Sequence, residues 1–109
     1  MAKRDLAGKV VWITGGGTGI GQGAAEKLAE AGCHVILSGR RVEPLEASAA
    51  ALRDAGGSAE VLQLDVADAD AVDAAAQAIS VKHGRLDILL NSAGINTANR
   101  RFANFSTKD

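Results

Sequence analysis

Tyrosine is absent from this chain of 109 residues, and proline and cysteine occur once each. A lone cysteine excludes an internal disulfide and fits a reducing compartment. Trp12, Phe102 and Phe105 are the only aromatic residues, too few for a base-stacking platform or an aromatic cage. No apolar run approaches the ~20 residues that cross a bilayer, and residues 1–8 lack the apolar centre of a signal peptide. Charge of one sign is missing too. Twelve basic against thirteen acidic side chains leave a net charge of -1, so no field draws the chain to nucleic acid or to an anionic membrane surface. A cytoplasmic protein is the expectation. The lack of tyrosine limits the acid–base chemistry these residues perform by themselves.

What is present is an ordinary globular composition, 47% hydrophobic and 23% charged, with 13 glycines. The length suits one domain with a modest core. Short apolar runs alternate with longer Ala-rich segments of helical spacing. Val10 to Ile13 reads as a buried strand stopping at Thr14-Gly15, and residues 21–31 as a helix closed by Gly32. Val35 to Leu37 is the second strand, ending in Ser38-Gly39. The second helix covers residues 42–55, with Pro44 in its first turn and Gly56-Gly57 after it. A third strand spans residues 59–64. Asp65 or Asp68 caps a third helix running to His83, and Gly84 breaks it. Leu86 to Leu90 is the fourth strand, interrupted by Asp87, and the polar remainder has no periodicity. Strands separated by helices of three or more turns pair in parallel through right-handed crossovers. The predicted fold is a doubly wound, Rossmann-like α/β sheet of about four strands with helices on both faces.

Thr14-Gly15-Gly16-Gly17-Thr18-Gly19-Ile20-Gly21 joins the first strand to the first helix. Glycine lets the chain turn tightly and lets a ligand approach the backbone. The helix that follows aims free N–H groups and a positive dipole end at the same place, which favours phosphate. The P-loop is excluded because Gly21-Gln22-Gly23 stands where Gly-Lys-Ser/Thr is required. The strict G-x-G-x-x-G pattern also fails, at Ile20.

The spacing Gly15-x-x-x-Gly19-x-Gly21 behind Thr14 resembles the TGxxxGxG signature of the short-chain dehydrogenase/reductase family. Asn91-Ser92-Ala93-Gly94 is similar to that family's NNAG motif, with Ser92 in place of the second Asn. Leu64-Asp65-Val66 looks like its adenine-contacting Asp-Val pair. The resemblance covers the chain from Lys9 onward and corresponds to the first half of a family domain. It implies that Gly15, Thr18, Gly19, Ile20 and Gly21 line a pyrophosphate turn. Asp65 and Val66 would contact adenine, while Asn91, Ala93 and Gly94 would lie along the nicotinamide ribose. Asn91 would also tie the fourth strand to its neighbour.

An NAD site places Asp or Glu about 20 residues beyond the glycine loop. Here the sequence is Ser38-Gly39-Arg40-Arg41, without an acid. A guanidinium at Arg40 suits a 2′-phosphate, with Ser38 or Arg41 in support. NADP(H) is therefore the expected cofactor and NAD(H) the alternative.

The family's catalytic Tyr-x-x-x-Lys pair and Ser fall after the stretch that ends at Asp109, so no catalytic residue is assigned and the 109 residues alone are expected to be inactive. The resemblance implies an oxidoreductase interconverting a small-molecule alcohol and carbonyl, in a longer chain of roughly 250 residues that forms a dimer or tetramer. A non-catalytic dinucleotide-binding module, or a half-domain completed by a partner chain, is the alternative.

Cys33 reads as packing, since its neighbour His34 points to the opposite face of a strand. His83 reads as the basic end of a helix, and Asp68, Asp70 and Asp73 as its solvated acidic start. One cysteine and two histidines without clustered spacing lead us to expect no metal site.

Overall fold

The computed structural model describes residues 6–15 and 19–91. The chain order is β1 (Val10–Thr14), α1 (Gly19–Glu30), β2 (His34–Ser38), α2 (Val42–Asp54), β3 (Ser58–Val61), α3 (Ala69–His83) and β4 (Ile88–Asn91). The four strands form one sheet in the order β3-β2-β1-β4, and every pair is parallel. The doubly wound α/β reading holds. The chain winds outward from β1 through β2 to β3, then returns to place β4 on the other side of β1. In open α/β sheets such a reversal, here at the carboxyl ends of β1 and β4, marks the crevice where ligands bind.

Successive side chains on a strand point to opposite faces, and β1 is apolar on both. Val11 and Ile13 join Val35 and Leu37 under Ala25 and Ala29 of α1 and Leu45, Ala49 and Leu52 of α2. Val10, Trp12 and Ile36 pack on the opposite face against Val72, Ala75 and Ile79 of α3. Burying a Val, Leu or Ile side chain contributes about 1.5–3 kcal/mol, so the two layers make β1 the best-anchored element.

Boundaries differ from expectation by two residues or more in three places, each for a physical reason. β3 ends at Val61 rather than Leu64, yet Leu62 N still donates to Leu37 O and Leu64 N to Gly39 O. Backbone pairing thus outlasts the regular strand, and the apolar pattern continues with it. β4 begins at Ile88 rather than Leu86, because Leu86 is buried beside α3 before the ladder starts. α1 starts at Gly19, two residues before the expected Gly21. Glycine is a poor helix former, so local preference pointed later than the tertiary structure allows.

Candidate functional site

Three strands deliver their last residues to one rim of the sheet. Thr14 closes β1 and is fully buried; its Oγ1 donates to Asn91 Oδ1 at 2.9 Å, across the register pair that joins β1 to β4. The expected role of Asn91 as a tie to the neighbouring strand is thereby observed. Gly15 follows at φ +77°, a left-handed conformation that a side chain disfavours. Its N–H donates to Ser38 O at 2.8 Å. That bond carries the β1–β2 pairing one residue past Thr14, and α1 starts at Gly19.

Ser38 has a different post from the one expected. It is buried completely, and its Oγ accepts the Trp12 indole N–H at 2.8 Å. The hydroxyl satisfies the one polar side-chain atom of a core tryptophan and has no exposed surface to offer a ligand. Arg40 and Arg41 are exposed beyond β2. Arg40 O accepts from Gln63 Nε2 at 2.8 Å, which fixes the backbone while the guanidinium remains at the surface. Arg41 stands at the amino end of α2 in an extended conformation, without a side-chain cap.

Asp65 follows β3. Its Oδ1 accepts from Ala67 N at 2.9 Å and its carbonyl from Asp68 N at 2.9 Å, so the acid is set in a tight turn with its side chain exposed. Val66 is half-buried against the α3 layer. Gly21 is buried in the first turns of α1. The structure thus gathers Gly15, Arg40, Arg41, Asp65 and Asn91 at the carboxyl end of the sheet. Thr18, Ala93 and Gly94 lie outside the described residues, as does the side chain of Ile20, while Gly19 is described as the first residue of α1.

Other side chains resolve as packing or as pairing. Cys33 is buried, and burial first, then the charge of Asp87, pushes its thiol up, with Lys9 opposing. A raised thiol is a poor nucleophile, which agrees with the packing reading. Of the two candidate caps, Asp68 is the one used on α3: its side chain accepts from Ala71 N at 3.2 Å. His83 does close α3, but it also meets His34 and Glu60 at the opposite end of the sheet. That cluster departs from the expectation of no metal site. It was invisible in sequence because its members come from β2, β3 and α3.

Among the described residues, no helix is long and apolar enough to cross a membrane. A family model described as short chain dehydrogenase matches residues 9–109. An uncharacterized oxidoreductase of Mycobacterium tuberculosis is 48% identical over 92 residues, covering 82% of this chain and 27% of the relative. A metagenomic short-chain oxidoreductase solved in complex with NADP superimposes with a TM-score of 0.79 at 41% identity, covering 83% of this chain and 41% of that one. A xylitol dehydrogenase solved with NAD+ bound gives 0.74 at 33% identity, covering 78% and 33%. The chain therefore spans about a quarter to two-fifths of the length of these proteins.

Proposed function

The chain belongs to the short chain dehydrogenase family of oxidoreductases, and from that premise we propose that it supplies the NADP(H) site of an enzyme that interconverts an alcohol and a carbonyl. The observation that carries the cofactor reading is the strand reversal between β1 and β4, with the left-handed Gly15 after β1 and the exposed, acid-free Arg40 and Arg41 after β2 at the same ends of the sheet. The residues present fit a dinucleotide. Gly15 at φ +77° leaves the turn without a side chain, so the backbone can approach a pyrophosphate. α1 adds the positive end of its dipole.

Arg40, with Arg41 beside it, would hold a 2′-phosphate through charge-assisted hydrogen bonds, as both are exposed. Thr14 and Asn91 pin β1 to β4 and so fix the floor beneath the nicotinamide end. Asp65 and Val66 would flank the adenine; Thr18, Gly19, Ile20, Gly21, Ala93 and Gly94 complete the proposed set. When bound, the cofactor supplies or takes up the hydride exchanged with a small-molecule substrate. The residues described here bind and orient it, and the proton-transfer group belongs to the rest of the enzyme.

The test is calorimetric titration of the full-length protein with NADPH and NADH. The expected result is tighter binding of NADPH, and a roughly ten- to hundredfold loss of that affinity in Arg40→Ala, equivalent to about 1.5–3 kcal/mol for a hydrogen bond to a charged group. NADH affinity should change far less. Equal affinity for both cofactors, unaltered by Arg40→Ala, overturns the NADP(H) preference.

A further inference from the structure

Three side chains with no part in the cofactor crevice converge at the other end of the sheet. His34 opens β2, Glu60 lies in the edge strand β3, and His83 closes α3. The register pairs His34 with Ser58 and Ile36 with Glu60. Residues two apart along a strand share a face, so His34 and Glu60 sit diagonally on the face that α3 covers. The last turn of α3 lays His83 over them, with the two imidazole rings 4.8 Å apart. Glu60 Oε1 is 2.7 Å from His34 Nε2 and 3.3 Å from His83 Nε2. One donor atom from each of the three residues lies within 4.8 Å of the others.

Two further observations point to a ligand. His83 Nε2 is buried and has no hydrogen-bond partner, its approach to Glu60 being close but misaligned. A buried ring nitrogen left unpaired is costly, and a cation among the three residues would satisfy it. His34 is already oriented from behind: its Nδ1 is hydrogen-bonded to Ser58 Oγ, leaving Nε2 directed into the cluster. Such outer contacts fix the rings of metal-binding histidines. Lys82 Nζ donates to Glu60 Oε2 at 3.2 Å and to Oε1 at 3.4 Å, and Oε1 is the oxygen that both imidazoles approach. Burial pushes the Glu60 carboxyl up, but hydrogen bonds from His34 and Lys82 outweigh it and hold it below its ordinary range.

We propose that His34, Glu60 and His83 bind one divalent transition-metal ion, zinc by preference, with water completing the coordination. Two imidazole nitrogens and one carboxylate oxygen suit zinc better than the hard, oxygen-seeking calcium or magnesium. Zinc–ligand bonds of about 2.0–2.2 Å set tetrahedral ligand–ligand edges of about 3.3 Å. The His83–Glu60 separation already matches, and the His34–Glu60 separation opens by about half an ångström. The ion would join β2, the edge strand and the end of α3. His34 stands one strand length, roughly 13 Å at ~3.3 Å per residue, from the carboxyl end of β2, which makes the ion's role structural.

The experiment is a titration of the tag-free, chelator-stripped full-length protein with zinc chloride by calorimetry, and with cobalt(II) by visible absorption. One equivalent of zinc should bind in the micromolar range or tighter and raise the melting temperature. Cobalt should give a ligand-field band. His34→Gln, Glu60→Gln and His83→Gln should each weaken zinc binding by at least about tenfold, the low end of what even an outer-shell substitution costs. Far-UV circular dichroism reports whether the variants fold. Should any variant fail to fold, the cobalt spectrum of the unaltered protein decides. Absence of that band and of zinc binding in large molar excess overturns the proposal, as does zinc binding that survives in folded His34→Gln and His83→Gln proteins.

Discussion

Asp87 is a single carboxylate at the lower end of the sheet with three donors. Its Oδ2 accepts from Val10 N at 2.8 Å and from Arg85 Nε at 2.8 Å, and its Oδ1 from Arg85 Nη2 at 2.9 Å. Asp87 N donates in turn to Val10 O at 3.0 Å, so the residue closes a ring with the first residue of β1. In the sequence it looked like a charge interrupting the fourth strand. It stands just before that strand, where it completes the ladder that β4 has yet to begin. Arg85 foremost, with the Val10 N–H, holds the Asp87 carboxyl below its ordinary range against the opposing effect of burial. A depressed carboxylate contributes stability above its unfolded value, ~3.9, and that contribution is lost as pH falls through the folded value. Asp87→Ala should therefore lower stability near neutrality by about 1–3 kcal/mol, because Val10 N is left buried and unpaired. It should also flatten the acid limb of stability against pH, measured by urea unfolding. Arg85→Ala should do less, since Arg85 is half exposed. Other residue roles were harder to read. The indole partner of Ser38 is 26 positions away, and no local pattern distinguishes a serine that faces a phosphate from one that faces a buried tryptophan.

At the scale of elements, the strands and helices were legible because each carries its own period and its own stop. α3 illustrates both ends. Asp68 at its N-cap accepts from Ala71 N, and Gly84 at φ +73° terminates it with its N–H on Ser80 O at 2.8 Å. Two acids competed for the cap in sequence, Asp65 and Asp68, and composition alone did not separate them. The structure does so by chain geometry: Asp65 closes a turn onto Ala67 and Asp68, three residues before the helix can accept a cap. Asp68→Ala should cost about 0.5–2 kcal/mol, the usual worth of an N-cap, read as a lower urea midpoint with an unchanged slope. The ends of β3 and β4 were less legible. Apolar patterning reports burial, and both Leu64 and Leu86 are buried without belonging to a regular strand.

For the whole molecule, the order β3-β2-β1-β4 decides what the chemistry-bearing residues do. Alternation of strands and helices implied parallel pairing, and the glycine turn marked one strand as the centre of a phosphate site. The spatial return of β4 to the far side of β1 is what brings Thr14 and Asn91 together at one rim. The same winding sets the amino end of β2, the edge strand β3 and the end of α3 side by side, where His34, Glu60 and His83 meet. That meeting was not legible because it depends on which strand lies beside which, together with the length of α3. The two places are separable by experiment, and hydrogen–deuterium exchange of the full-length protein with and without NADPH addresses the central claim directly. Saturable protection is predicted in peptides covering residues 14–21, 38–41, 65–66 and 91–94, with little change around His34 and Glu60. Protection confined to the amino ends of the strands, or none at saturating NADPH, would contradict the assignment of the β1–β4 crevice as the cofactor site.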